Sequence, residues 1–306
     1  MNGVINSRFT LTATSITNAQ SLIIEWYKNN RRRFSWRKKI RDPYEVLVCE
    51  VMAQQTQASR IEEFLPIFLK RFPTIESLAK AKSSDVIKAW QGLGYNRRAL
   101  NLQKTAILIG KKKFPDTEEQ LLELPGIGPY TARSVLIFAF NAHLTTIDVN
   151  VLRVLSRIFS KMQDQNAIFP REEVQRIAEV MLPPRNSRLW HEALMDFGAT
   201  VCTKRNPKCS DCPLKQDCKS ANLPSAKNVT KNNEPQYFGK PKRIWRGIIL
   251  RTIVDHERIT LKKIIRRLEI DDEDSKVKTF VKSILEELIH EGFCHKKRST
   301  YQIQSK

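Results

Sequence analysis

The chain has 306 residues, 41% of them hydrophobic, enough for one large or two to three small domains. Its formal net charge is +21, which says nothing about fold but favours a polyanionic partner. No apolar run reaches bilayer-spanning length, and the polar stretch 1–20 lacks the basic-then-apolar layout of a secretory signal. These features exclude the membrane-spanning and secreted classes and imply an intracellular, cytoplasmic protein.

Residues 1–18 read as a flexible N-terminus. From Ala19 to about Leu194, apolar residues recur at three- and four-residue steps, as in amphipathic helices. Expected helices cover Ala19–Asn29, Pro43–Gln54, Arg60–Phe72, Thr74–Ala81, Ser83–Gln91, Arg97–Lys111, Thr117–Leu124 and Tyr130–Phe140. Short breakers separate them: Gly92-Leu93-Gly94, Pro115-Asp116 and Pro125-Gly126. Strand-like alternation is scarce, so 19–223 reads as an all-α body. From 224 to 243, Pro and Asn among lysines indicate a linker. Residues 244–306 then give three helices, Trp245–Val254, Thr260–Leu268 and Ser275–Glu291. An alternating Phe293–Gln304 follows, folded around Lys296-Lys297-Arg298-Ser299. Three helices and a hairpin suggest a small winged-helix-like α+β domain. Such a domain serves either an extra DNA contact or a protein partner, since fold does not fix function. Residues 225–306 hold 19 basic and 11 acidic side chains, so the tail is basic as well.

Four of the six cysteines form a compact run, Cys202-x6-Cys209-x2-Cys212-x5-Cys218. In an intracellular chain this pattern indicates metal rather than disulfides. Four thiolates suit a tetrahedral zinc or a cubane cluster. The spacer after Cys202 is cationic. Pinned at both ends, it can offer Lys204 and Arg205 to phosphates without first being ordered.

The stretch Leu124-Pro125-Gly126-Ile127-Gly128-Pro129-Tyr130-Thr131-Ala132 joins two helices. Gly126 and Gly128 permit a tight turn at positive φ, and the following helix N-terminus attracts phosphate. A dinucleotide fingerprint fails on context: the motif follows a helix, and the third glycine is absent. Glu50 sits among apolar neighbours, where desolvation raises a carboxyl pKa. Asp148 is placed to N-cap the helix after it. His191-Glu192 has no second histidine at metal-binding spacing and reads as structural.

Five strings, in order, carry a family resemblance. They are Glu50-Val-Met-Ala-Gln54-Gln55-Thr56-Gln57, Gly92-Leu-Gly-Tyr95-Asn-Arg97-Arg98, the Leu124–Ala132 hairpin, Thr146-Ile-Asp148-Val-Asn150, and the cysteine run. Together they resemble the helix–hairpin–helix DNA glycosylase superfamily, adenine DNA glycosylase branch, over about Ala19–Ala221. The resemblance implies a two-lobed helical body with a [4Fe–4S] cluster on Cys202, Cys209, Cys212 and Cys218. It implies a monofunctional glycosylase of base excision repair acting on double-stranded DNA. Glu50 would protonate the departing base, and Asp148, assisted by Asn150, would face the sugar cation. Tyr130 stands where strand-nicking relatives have a lysine, and tyrosine forms no Schiff base. Gln54, Gln55 and Thr56 would fill the hole left by the extruded base. Leu93 and Tyr95 would wedge into the duplex, while Arg97, Arg98, Gly126, Gly128 and Thr131 would meet its backbone. Members of the branch typically carry a larger C-terminal domain that recognises 8-oxoguanine, and the sequence after Ala221 does not resemble it. The catalytic residues of the resemblance favour a purine, so adenine opposite G or 8-oxoguanine is the first substrate expected, while the missing domain leaves the opposing base unspecified. Thymine or uracil opposite G, or hypoxanthine, is the alternative, and a non-catalytic DNA-binding protein the third reading. A monomer associated with the nucleoid is expected.

Overall fold

The computed structural model describes residues 12–159, 169–221, 223, 234–270 and 275–304. In chain order it begins with α1 (Ala13–Asn30), α2 (Pro43–Ala53), α3 (Ala58–Arg71), α4 (Ile75–Lys80), α5 (Ser83–Trp90) and α6 (Arg97–Ile109). There follow α7 (Glu118–Leu122), α8 (Pro129–Phe140), α9 (Val149–Phe159), α10 (Arg171–Val180) and α11 (Ser187–Thr200). The C-terminal part holds β1 (Gln236–Tyr237), β2 (Lys240–Pro241), α12 (Lys242–Val254), β3 (Ile259–Thr260), α13 (Leu261–Arg267), α14 (Ser275–His290), β4 (Cys294–Lys297) and β5 (Thr300–Ile303). No helix among the described residues is long and apolar enough to cross a membrane.

Local chemistry sets the boundaries. Thr12 and Ser15 form a reciprocal capping box, so α1 begins at Ala13, and residues 13–18 are helix rather than the flexible terminus expected. Residues 1–11 of that terminus and 224–233 of the expected linker lie outside the described residues. Thr74 and Ser77 make a second capping box at α4. Pro129 opens α8, where its missing N–H is not needed, and Asn141 closes the helix in the left-handed conformation.

The described residues pack as two compact units. The first draws on Met1–Glu50 and Phe114–Val229, the second on Val51–Lys113 and Thr230–Lys306. In the first, α1, α9, α10 and α11 enclose Ile23, Tyr27, Val151, Val154, Ile177, Trp190 and Phe197. Full burial of each such side chain contributes about 1.5–3 kcal/mol. The fully buried Asp196 accepts from Arg32 Nε (2.7 Å) and Arg37 Nη1 (2.7 Å), so this charge enters the interior only with partners.

In the second unit, Phe68, Phe72 and Trp90 pack edge to face. The C-terminal helices share one core with α5 and α6, in which Ile87 and Leu100 meet Trp245, Ile249 and Ile253. The C-terminal sheet has the order β3-β5-β4, antiparallel throughout, with Ile259 opposite Tyr301 and Lys297 opposite Thr300. Helix, short strand, two helices and a hairpin follow in the order expected of a winged helix, and the segment groups with residues 51–113 in one unit rather than standing alone. Lys296, Lys297 and Arg298 stand exposed at the hairpin tip. Not foreseen is the β1–β2 hairpin before α12. Its Tyr237 stacks on Phe280 of α14 (5.0 Å, 19°), and Phe238 packs edge-on against the same ring.

Candidate active site

The catalytic residues expected from the sequence all lie in the first unit. Glu50 is on α2, a helix that is apolar on nearly every side; Leu47, Val48 and Cys49 just before it are buried. The Glu50 residue keeps some solvent contact, but its carboxyl is enclosed. Burial lifts its pKa to about 7; nearby Ser134 and Arg41 pull it down, and Asp148 pushes it up again. Arg41 does not reverse the outcome, because its guanidinium is itself paired with Glu192. Glu192 in turn accepts from the Tyr27 hydroxyl at 2.7 Å. Desolvation therefore wins, and near neutral pH the carboxyl is about half protonated.

Tyr130 enters from the first turn of α8. Its phenol is pushed well above the ordinary range by burial and then by Glu50 and Asp148, so it stays protonated. Ser134, one turn further, is fully buried close to both Glu50 and Tyr130, although its hydroxyl forms no well-aligned hydrogen bond.

Asp148 caps α9, as the sequence suggests. Oδ1 accepts the N–H of Asn150 (2.8 Å) and of Val151 (2.7 Å), and Oδ2 accepts the Asn150 carboxamide (2.9 Å). These bonds fix the carboxylate's direction. Asn150 Oδ1 is held by Arg153 (2.8 Å), which also donates to the carbonyls of Gly198 (2.6 Å) and Cys202 (2.7 Å). Buried His191 accepts the Thr146 N–H through Nε2 (3.1 Å) and pairs Nδ1 with the Ser187 carbonyl (2.7 Å), so it is neutral and steadies the segment entering Asp148. Sequence reasoning missed Arg41, Ser134, Arg153 and Gly198. Only Ser134 left a signal there, four residues after Tyr130 on one helix face.

Gly198 is where α11 meets α9. A Cβ there would sit 2.7 Å from Asn150 Cβ and 3.2 Å from the Asn150 Cα. Gly198→Ala is expected to destabilise the protein by about 1–3 kcal/mol, since a close-packed contact cannot take another carbon without shifting. A thermal melt checks this; an unchanged midpoint would mean the two helices are less tightly apposed.

The four clustered cysteines lie together in the fold. Cys202, Cys209, Cys212 and Cys218 line one small cavity. Among the described residues, no three potential ligands converge closely enough to share one metal ion. None of the four is in a disulfide. Burial raises the Cys212 and Cys218 thiols to about 11, and bound iron would supply the charge that offsets this. Arg157 donates to the carbonyls of Thr203 (2.7 Å) and Lys204 (3.2 Å), tying the loop to α9, while Lys204 and Arg205 stay exposed.

The expected DNA-contacting residues divide. In the hairpin, only Gly126 has positive φ (80°); Gly128 is extended (φ −99°, ψ 176°) because it serves as the N-cap of α8. Both glycines are exposed, whereas the Thr131 side chain is 4% exposed and turns inward, so it offers DNA no hydroxyl. In the second unit, Gln54, Gln55, Tyr95 and Arg97 line one groove. Tyr95 is 62% exposed, whereas Leu93 is 7% exposed, so Leu93 is a core residue rather than a wedge. Arg98 is no phosphate ligand either. It is buried and donates to the carbonyls of Val51 (3.0 Å), Met52 (2.9 Å), Leu93 (3.1 Å) and Gly94 (3.2 Å), and to Thr56 Oγ1. It thus caps the end of α2 and fastens the turn that faces Leu93 inward.

Residues 48–184 match the HhH-GPD superfamily of base excision DNA repair proteins, and residues 202–218 match the iron–sulfur binding domain of endonuclease III. Over 238 residues the chain is 35% identical to the adenine DNA glycosylase of Mycolicibacterium smegmatis, covering 76% of this chain and 79% of that protein. It is 40% identical over 197 residues to the adenine DNA glycosylase of Mycobacterium tuberculosis, 63% of this chain and 64% of that relative's length. A thermostable thymine-DNA glycosylase superposes with a TM-score of 0.61 and 27% identity, over 68% of this chain and 97% of that one.

Proposed function

Because the chain belongs to the HhH-GPD superfamily of base excision DNA repair proteins, in its adenine DNA glycosylase branch, we propose that it hydrolyses the N-glycosidic bond of a mispaired adenine. One observation carries the choice of a purine: the enclosed Glu50 carboxyl, lifted to about 7, lies within the electrostatic reach of Asp148, whose side chain is held in direction by two backbone N–H groups. A neutral adenine leaves poorly as an anion and needs a proton. A desolvated acid supplies the donor, and a second carboxylate, fixed in direction by hydrogen bonds, supplies the counter-charge.

In the proposed sequence, a base extruded from the duplex reaches Glu50, which gives its proton to a ring nitrogen. The bond to the sugar breaks and its electron pair stays with the base. The Asp148 carboxylate, aimed by two backbone N–H groups and Asn150, faces the developing cation. Water adds to the anomeric carbon and gives a proton back to the Glu50 carboxylate, leaving free adenine, an abasic site and the acid restored. Tyr130 contributes a hydrogen-bonding hydroxyl but no amine, so the strand is not nicked. Cys202, Cys209, Cys212 and Cys218 would hold the [4Fe–4S] cluster, which would pin the cationic loop that carries Lys204 and Arg205. Gly126 and Gly128 support a phosphate grip: a Cβ at Gly128 would meet nothing in the protein, which leaves the backbone open to a close ligand. The protein acts as a monomer at the nucleoid.

Duplexes carrying A opposite 8-oxoguanine, A opposite G, T opposite G, U opposite G, or hypoxanthine test this directly. Alkali-dependent breaks are expected only in the adenine-bearing strands. Breaks at T or U would transfer the site to a pyrimidine, breaks without alkali would reveal a lyase, and binding without breaks would leave a DNA-binding protein.

A further inference from the structure

The second unit contains a groove of about 880 Å³ that the chemistry above does not use. One wall is Tyr95 and Arg97 with Gln54 and Gln55, and the other is α12 with Arg243 and Arg251. We propose that this groove is a DNA-strand site in which α12 of the winged helix, rather than its α14 or its hairpin tip, holds the phosphates. The proposal rests on the reading of the protein as a DNA repair enzyme.

Charge comes first. Six cations and two carboxylates, Glu287 and Glu291, line the groove. The carboxylates are taken: Glu287 pairs with Lys242 and Arg246, and Glu291 with Arg246 at 2.7 Å. Arg98 is turned inward on backbone carbonyls. Three guanidiniums remain without an acid inside the groove. Arg97 lies over the Phe293 ring at 5.5 Å, and Arg251 is held by the neutral Gln91 carboxamide at 2.9 Å. Arg243 pairs at 2.9 Å with Glu234 outside the groove, both side chains well exposed, an interaction that water and salt weaken. The other amide atom of Gln91, Nε2, is buried with no acceptor in the protein. A small turn of that carboxamide toward an incoming phosphate oxygen would satisfy it.

The other wall matches a base. Tyr95 is held at positive φ (47°) after Gly94 (71°), which presents an aromatic ring to solvent. Stacking on an exposed ring with guanidiniums along the backbone is how proteins hold an unstacked strand. The volume suits one or two nucleotides rather than a folded partner. The usual winged-helix mode is disfavoured, because Tyr237 and Phe238 cover Phe280 in the middle of α14.

The test measures equilibrium binding of the full-length protein to an undamaged duplex across a salt series, so no excision is needed. Arg243→Glu and Arg251→Glu are each expected to weaken binding about five- to tenfold and to flatten the salt slope by about one unit. Arg243→Gln, which removes the charge without reversing it, should give a smaller loss in the same direction. Lys278→Glu on α14 and Lys297→Glu at the hairpin tip carry the same charge change and should stay within about twofold. Equal losses at all four reversals would reduce the effect to net charge, and losses confined to Lys278 and Lys297 would restore the usual mode. No loss anywhere would leave the groove for something other than DNA. Each of these overturns the proposal. If the variants behave as expected but no duplex is ever cleaved, only the glycosylase reading falls.

Discussion

Glu50→Gln should reduce base release by about 10²–10⁴-fold, the usual weight of a general acid, while duplex binding stays within a few-fold of the parent. The glutamine keeps the size and hydrogen-bonding reach of the acid but has no proton to give. In the parent, release should weaken as pH rises through about 7, because the protonated carboxyl is the working form. The variant should lose that limb. It should also be the more stable protein above neutral pH. Between the ordinary carboxyl value of 4.5 and about 7, the unfolded chain releases a proton that the folded site retains, so stability falls as pH rises across that window. Above it the buried charge is a constant penalty of roughly 1–3 kcal/mol, which glutamine avoids. Below 4.5 the two proteins should melt together. Single-turnover excision and thermal melts at acid and alkaline pH read both effects. An active variant removes Glu50 from the proton transfer, and equal melts at high pH would show that its carboxyl is not desolvated.

What was legible in the sequence is what local chemistry writes there. The helices follow from apolar periodicity. The cap at Asp148 follows from an acid placed before a helical run, and the enclosure of Glu50 from its apolar neighbours. The C-terminal order of helices and hairpin is readable because each element carries its own period. What was not legible depends on residues far apart in the chain. Arg98 and Arg97 stand side by side in one basic turn. Only the fold shows that Arg98 goes inward to cap α2 while Arg97 lies over Phe293. Leu93 and Tyr95 flank a glycine, and the fastening of that turn by Arg98 and Trp90 decides which of them is buried. Arg41 sits in a basic stretch with nothing to mark it. Its effect on Glu50 is set by Glu192, 151 residues away. The sharing of a core between 244–306 and α5–α6 has no local signature either.

Asp148→Asn should lower excision by about 10²–10⁴-fold while leaving stability within about 1 kcal/mol of the parent. Asparagine is as good an N-cap as aspartate, so the bonds from the Asn150 and Val151 N–H groups survive. What disappears is the negative charge facing the sugar. A fixed charge in a site shielded from water typically supplies several kcal/mol toward a cationic transition state. A second consequence separates this role from a purely structural one. Asp148 is among the groups that raise the Glu50 carboxyl, so removing its charge should move the alkaline limb of the residual activity to lower pH. Burial is the larger influence and stays, so the shift should be a fraction of the whole elevation. An excision rate near that of the parent would show that the cation is stabilised elsewhere. A large loss of stability would mean that Asp148 holds α9 in place and acts on the chemistry only through it. A large loss of activity with an unmoved pH limb would mean that Asp148 and Glu50 do not share a field, and the paired-acid mechanism would then have to be abandoned.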